Sequence, residues 1–326
     1  MGLNPRGHFF GLSICQTNLV NSESLRDISF HRAAATYVRV LFSAIGFLAA
    51  GVCLPAEGEA PTLDAAVALY NHHQLAKAQK AFEALVAADP GSSDVPFYLG
   101  QIALQRGERE KAVAYLEKAV ALSPKDSRMH MVLGDAYGVT AQNAGFFSQL
   151  GWAKKCEAEY ERAIELDPKN IDARWDLMEY CCQAPSIAGG GKDKAMEQAQ
   201  AIEKLDATRG HFAAATVYSA DNNSESAFTE FAEVVKAEPG NYGANYQMGR
   251  LAAQTGQRLE EGLAALRRCL SLDPPENVPG HAAAHWRIGN ILELQGDKVG
   301  ARAAYEASLK ADPKFSKAID SLKNLK

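Results

Sequence analysis

Two histidines of this chain, His281 and His285, have a spacing with which side chains can hold a metal. Residues four apart in sequence lie one turn apart on a helix, so both imidazoles would reach the same divalent ion. The three residues between them are alanines, which leaves no carboxylate to act as a general base, and no third ligand is evident. We therefore predict no metal and no cofactor. An accessory or metal-dependent enzyme component that uses His281 and His285 is kept as the alternative hypothesis.

A glycine-rich stretch, residues 189–192 with the sequence GGGK, contains parts of a phosphate-binding loop, because glycine amides and a lysine together attract an anion. The complete pattern would need a glycine in place of Ser186 and a serine or threonine in place of Asp193, and a strand would have to precede it. The stretch therefore predicts a loop between two helices, and no nucleotide.

The cysteines give no catalytic pattern. Cys181 and Cys182 are adjacent and so lack the CxxC spacing of redox and metal sites, and Cys181 falls where a buried side chain is expected. Neither a Gly-x-Ser-x-Gly motif nor a nucleophile with a base beside it is visible in the sequence. The sequence predicts a protein that is not an enzyme.

The element that would position any site is a helical hairpin, which is most regular between Val95 and Pro124. Apolar residues fall at three-and-four spacing on one face of each of two short helices: Leu99, Ile102 and Ala103 on the first, and Ala112, Leu116, Ala119 and Val120 on the second. Gly107 stands between the helices, where a helix end favours glycine, and Pro124 ends the second helix. The pattern predicts two helices that pack face to face.

This hairpin resembles the tetratricopeptide repeat (TPR). The residues that carry the resemblance are Leu99-Gly100, Ala103, Gly107, Ala112, Leu116, Ala119 and Pro124. The resemblance extends over about residues 60–326, and over this range the chain is similar to exported bacterial TPR proteins. It implies an all-α fold, an α-solenoid in the form of a right-handed superhelix.

The repeat recurs along the chain. A proline follows the second helix of six repeats: Pro90, Pro124, Pro168, Pro239, Pro274 and Pro313. The gap between Pro168 and Pro239 is about two periods long and predicts a further repeat at 171–207, which gives about seven hairpins. Residues 314–326 then predict a C-terminal capping helix with Ile319 and Leu322 inward and lysines outward. Extra residues at 139–150 and 183–191 predict loops.

Aligning the first helices gives the candidate binding site. The residue two before each Leu-Gly-like pair is large and apolar: Phe97, Met131, Trp175, Phe212, Tyr246 and Trp286. Four residues later, on the same face, stand Gln101, Asp135, Glu179, Thr216, Arg250 and Asn290. The resemblance implies that these first helices line a concave face, where the twelve residues would hold a protein or peptide partner. The other interpretation is that the aromatic side chains pack against neighbouring repeats.

The N-terminal segment, residues 1–56, carries an apolar run at 40–54. This run has about 15 residues and is shorter than the roughly 20 that span a bilayer, which favours a signal peptide. We therefore predict an exported, periplasmic protein whose mature chain, residues 57–326, has no transmembrane span. The alternatives are a mitochondrial presequence and a membrane tether formed by an uncleaved signal.

The net charge of −5 provides no basic surface for a nucleic acid backbone, so we predict no nucleic acid partner. Together, the repeats, the acidic balance and the missing catalytic motifs predict a noncatalytic protein–protein interaction scaffold in the bacterial cell envelope, which binds a segment of its partner in a concave groove.

Overall fold

The structure, a computed structural model, describes residues 61–275 and 278–325. The predicted signal region, with its apolar run at 40–54, lies outside these residues. Within them there are fifteen α-helices, one 3-10 turn and no strand. None of these helices combines the length and the apolar character that crossing a bilayer requires. The all-α solenoid class predicted from the repeats is confirmed.

The helices form two compact units. The first unit contains α1 (Leu63–Asn71), α2 (Leu75–Ala88), α3 (Asp94–Gln105), α4 (Arg109–Leu122), α5 (Ser127–Asn143), α6 (Phe146–Leu166), the start of α7 (Ile171–Gln183) and the 3-10 turn Ser186–Ala188. The second contains the end of α7, α8 (Lys192–Glu203), α9 (Ala207–Ala220), α10 (Ser224–Ala237), α11 (Tyr242–Thr255), α12 (Leu259–Cys269), α13 (His281–Leu294), α14 (Lys298–Ala311) and α15 (Ser316–Asn324). The order gives seven helix pairs and a final single helix, as the sequence predicted.

Four of the hairpins close on a glycine of their first helix. In the first unit, a Cβ atom added to Gly100 would lie 2.5 Å from Cγ of Leu116, and one added to Gly134 would lie 2.7 Å from Cδ1 of Tyr160. In the second unit, Gly249 faces Leu266 and Gly289 faces Tyr305 at still closer approach. Only glycine leaves room for these bulky side chains, so the two helices of a pair can pack tightly.

The core of the first unit shows how the hairpins are filled. Tyr70, Phe82 and Leu99 are buried together, and the ring of Tyr98 stacks on Phe82 with centroids 5.1 Å apart. Gly107, in the turn between α3 and α4, has φ of +72°, a left-handed conformation in which most side chains would be strained. This is the helix end that the sequence predicted.

Polar side chains connect the first helix of a repeat to the proline that ends the preceding one. His130 Nε2 donates to the Pro124 carbonyl (3.1 Å), Arg174 Nε to that of Pro168 (3.0 Å), and Asn245 Nδ2 to that of Pro239 (3.1 Å). In each case the donor stands six residues after the proline and three before the Leu-Gly-like pair. We call this register the donor position.

The insertion at 139–150 differs from its prediction, because it lengthens two helices rather than the turn. Helix α5 continues to Asn143 and α6 begins at Phe146, so only two residues separate them. Within the extension, Thr140 Oγ1 donates to the Ala136 carbonyl and Asn143 Nδ2 to that of Val139, which keeps these polar side chains satisfied on a helix. The second insertion is a loop, as predicted, with one turn of 3-10 helix at Ser186–Ala188.

Candidate functional site

The predicted binding residues of the first unit are all buried. Phe97, Gln101, Met131, Asp135 and Trp175 each expose 7% or less of their surface. Two of the polar side chains contact tyrosines. The Tyr70 hydroxyl donates to Gln101 Oε1 (3.3 Å), and the Tyr160 hydroxyl donates to Asp135 Oδ1 (2.9 Å). These polar side chains thus have hydrogen-bond partners within the unit itself.

In the second unit, five of the seven predicted residues are also buried: Glu179, Phe212, Thr216, Tyr246 and Arg250. The ring of Phe212 meets that of Phe231 edge to face, and the Thr216 hydroxyl donates to the Phe212 carbonyl within the same helix. Trp286 and Asn290, on α13, are the two that keep partial exposure. They therefore mark the part of the predicted site that is reachable from outside.

Four side chains hold the indole of Trp286. Its Nε1 donates to Ser321 Oγ on α15 (3.0 Å), and the ring of Phe315 meets it edge to face. The guanidinium of Arg287 lies 4.3 Å, and Nζ of Lys317 lies 5.0 Å, from the centre of the indole ring. Cations at these distances are attracted to the π-electrons of the ring, which fixes the position of the indole.

A pocket of about 660 Å³ opens beside Trp286. We call it the aromatic pocket; its wall includes Tyr246, His281, Trp286, Asp312, Phe315 and Lys317. Tyr246 and Trp286 occupy the same register in consecutive repeats, and both line this cavity. The pocket is open to solvent, and its volume falls within the range of ligand-binding clefts.

A second, smaller pocket of about 320 Å³ lies on the same tryptophan. We call it the polar pocket; it is lined by Trp286, Asn290, Glu293, Tyr305, Lys317 and Asp320, among others. The Tyr305 hydroxyl donates to Glu293 Oε2 (2.8 Å) and lies 3.0 Å from Asn290 Oδ1. Burial and the hydrogen bond to Glu293 raise the pKa of Tyr305, so its hydroxyl keeps its proton and remains a donor.

The final helix contributes residues that the sequence prediction missed. The sequence predicts that 314–326 caps the array with Ile319 and Leu322 inward and lysines outward, but Lys317 lies over the indole of Trp286, and Phe315 and Asp320 line the pockets. Only Ala318 of α15 is fully buried. The available signal was Phe315, a large aromatic residue directly before the start of a cap.

The histidine pair is engaged within the fold. His281 Nε2 donates to the Leu272 carbonyl (2.8 Å), which uses the ring nitrogen that metals commonly bind. Burial and the neighbouring His281 lower the pKa of His285. Across residues 61–275 and 278–325, no group of three or more His, Cys, Asp or Glu side chains is arranged to hold a metal ion.

The glycine-rich stretch and the cysteines have structural contacts. Lys192 Nζ pairs with the Asp221 carboxylate (2.5 Å), and the Gly191 amide donates to the Cys181 carbonyl (2.9 Å). These contacts hold the lysine and one of the glycine amides that a phosphate would need. Burial raises the pKa of the Cys182 thiol, which leaves it protonated and weakly nucleophilic.

Comparison with protein families identifies the repeat. A family model described as tetratricopeptide repeat matches residues 63–127, 99–137 and 246–314, and a second model with the same description matches 144–170. The matches together cover more than half of the chain, including the helices α11, α13 and α14 that carry Tyr246, Trp286 and Tyr305.

Individual proteins are similar over much of the chain. The peroxisomal targeting signal receptor of Kluyveromyces lactis is 23% identical over 209 residues, which is 64% of this chain and 35% of the receptor, so the chain spans about a third of that relative. A tetratricopeptide repeat protein from Parabacteroides merdae superimposes with a TM-score of 0.56 at 14% identity, over 80% of this chain and 95% of that one. PilW, described as a type IV pilus biogenesis factor, superimposes with a TM-score of 0.54 at 14% identity, over 71% of this chain and 97% of PilW. At these identities the structural likeness shows the fold.

Proposed function

The chain belongs to the tetratricopeptide repeat family, whose repeats serve as protein–protein interaction scaffolds. We propose that it is a noncatalytic scaffold, which binds a peptide or protein segment of its partner along its first helices. The observation that carries the proposal is the aromatic pocket, in which Tyr246 and Trp286 from consecutive repeats line one cavity of about 660 Å³.

The site suits a polypeptide ligand in its chemistry. Aromatic side chains give a large contact area at low cost in conformational entropy, and buried aromatic residues dominate the energy of many interfaces. Beside them, Asn290, Ser321 and Asn324 line the polar pocket and present groups that can hydrogen-bond a peptide backbone. An apolar anchor next to a polar wall is the arrangement that binds a side chain and also sets the register of its main chain.

We place this scaffold in the bacterial cell envelope. This part of the proposal depends on the sequence alone, namely on the apolar run at 40–54 preceded by Arg39 and few acidic residues. Fractionation of the native host would test it, and recovery of the chain in the cytoplasmic fraction with the run uncleaved would overturn it.

Site-specific crosslinking tests the binding function. A photoreactive amino acid replaces Ala282, which lines the aromatic pocket, and in a separate control it replaces Arg302, which is exposed on α14 and lines neither pocket. After illumination in the native host, the Ala282 site is expected to give discrete protein adducts that mass spectrometry identifies. Equal adducts from both positions, or none from either, would contradict the proposal.

A further inference from the structure

We propose that the paired pockets at Trp286 select a segment in which a large apolar side chain lies next to a lysine or arginine. This inference rests on the proposed binding function and specifies the chemistry of the partner. The apolar side chain would enter the aromatic pocket, and the cationic one would lie in the polar pocket, with the indole of Trp286 between them.

The first half of the inference follows from the lining of the aromatic pocket. Tyr246, Trp286 and Phe315 present rings, and Pro274 and Pro279 add further apolar surface. The ring of Phe315 meets that of Trp286 edge to face with centroids 6.1 Å apart, so the two walls are held in place by packing. A cavity of about 660 Å³ with such walls has room for the largest natural side chains and gains most from those with apolar surface.

The second half follows from the charges around the two pockets. Three carboxylates line them, from Asp312, Glu293 and Asp320, against the single ammonium group of Lys317. Arg287 also contacts the indole without lining either cavity, and the carboxylates outnumber the cations even when it is included. A site with this balance attracts a cationic segment and repels an acidic one.

The neighbours of Glu293 and Asp320 leave both carboxylates able to pair with an incoming cation. Glu293 accepts a hydrogen bond from the Tyr305 hydroxyl, which carries no positive charge. Asp320 lies 3.5 Å from Lys323, but both side chains are about two-thirds exposed, so water screens this pair strongly. The ammonium of Lys317 lies against the ring of Trp286 and is shared between the pockets. Among the residues that line the two pockets, an incoming cation would therefore meet three carboxylates and one ammonium group, and Lys323 adds only a solvent-screened charge outside them.

Short fluorescein-labelled peptides test the inference by fluorescence anisotropy on the full chain. Three matched peptides differ at two adjacent central positions, which read Phe-Lys, Phe-Glu or Ala-Lys. The Phe-Lys peptide is expected to bind about tenfold more tightly than either of the others, a difference of about 1.4 kcal/mol for each feature. Its affinity is expected to fall as salt is added, because salt screens the charge contribution.

A pair of charge-neutralising variants locates the effect. Glu293→Gln combined with Asp320→Asn keeps the size and hydrogen-bonding capacity of both side chains, and it should abolish the preference for Phe-Lys over Phe-Glu. The matched control is Glu306→Gln combined with Asp193→Asn, which removes the same charge at exposed positions outside the pockets and should leave the preference intact.

Three results would overturn the inference: Phe-Glu binding as tightly as Phe-Lys, a preference that survives in the pocket variant, or no binding of any of the three peptides. The proposed function is judged separately, by the crosslinking at Ala282. Adducts there without selective peptide binding would reject the partner chemistry and leave the scaffold standing, whereas the absence of both would reject the two together.

Discussion

The hydroxyl of Tyr160 donates a 2.9 Å hydrogen bond to the carboxylate of Asp135, across the hairpin of α5 and α6. The same arrangement recurs in the last hairpin, where the hydroxyl of Tyr305 lies 3.0 Å from Asn290. In both, the tyrosine ring also covers the glycine of the first helix, Gly134 or Gly289. One side chain thus fills the helix interface and binds the polar residue that the sequence assigned to the ligand face.

Removing this hydroxyl should destabilise the fold. Tyr160→Phe keeps the ring against Gly134 but takes a donor from the buried Asp135 carboxylate, so the free energy of unfolding is expected to fall by about 1 to 3 kcal/mol. Urea denaturation followed by circular dichroism measures it. A midpoint equal to that of the unmodified chain would show that the hydrogen bond contributes nothing. Phe82→Leu, a change of buried packing without a hydrogen bond, provides a comparison.

The small residue of the hairpin can be tested against a matched glycine. A Cβ atom at Gly134 would lie 2.7 Å from the Tyr160 ring, whereas one at Gly151, on α6, meets nothing within 4 Å. Gly151→Ala should stabilise the chain by up to about 1 kcal/mol through helix propensity. Gly134→Ala should destabilise it, and Gly134→Leu should cost about 1 to 3 kcal/mol or more through overpacking.

Thermal melts of these three variants measure the effect. Opposite shifts for the two alanine substitutions are expected. If Gly134→Leu melts within a degree of the parent, the register assigned to the third repeat is wrong.

Substituting the two tryptophans among the aligned apolar residues of the first helices distinguishes a role in binding from a role in packing. Trp175 exposes 5% of its surface and Trp286 keeps partial exposure. Trp286→Ala should weaken partner capture by about 1 to 3 kcal/mol with only a small change in melting temperature, as interface anchors do. Trp175→Ala should cost about 3 to 5 kcal/mol of folding stability if its side chain is core.

The melts can be run before any partner is known. A large loss of helicity in both variants would remove Trp286 from the binding site and leave the family fold alone. A small change of melting temperature in both variants would favour the whole set of aligned apolar residues as a binding face.

Stability should also depend on pH through His285. Burial and His281 lower the pKa of His285, so the unfolded chain takes up a proton at higher pH than the folded chain. The stability that this difference provides is present above about pH 6.5 and is lost progressively as the pH falls below that value. His285→Gln is therefore expected to flatten the acid side of the stability profile, with His72→Gln, at an exposed histidine, as the control. An unchanged slope in His285→Gln would contradict the shift.

The sequence was sufficient for the repeats because each hairpin repeats a local rule. Glycine at Gly107, small residues at Gly100 and Gly134, and the proline after six of the seven second helices recur at fixed spacings, so their pattern can be read directly. The insertion at 139–150 was predicted wrongly as a loop because its residues can form either a loop or a longer helix. Which of the two forms depends on the packing of α5 against α6.

The candidate site was predicted only in part, for a related reason. The alignment selected Tyr246 and Trp286 because they share a register within the repeats. It could not select Phe315, Lys317 or Asp320, because these lie in or directly before a terminal helix that follows no repeat pattern, and they reach Trp286 only through the fold. Periodicity also cannot show that a polar residue such as Asp135 already has a partner on the facing helix.

The donor position has a mechanical consequence. His130, Arg174 and Asn245 each fasten the start of a repeat to the proline carbonyl of the preceding one, and His130 and Asn245 also contact the second helix of their own repeat through Glu159 and Arg268. At the junction after α2, the corresponding residue is Pro96, whose side chain carries no hydrogen-bond donor. Under a pulling force, the hairpin of α1 and α2, which lacks this bond, should therefore detach before the repeats that His130 and Arg174 join within the first unit.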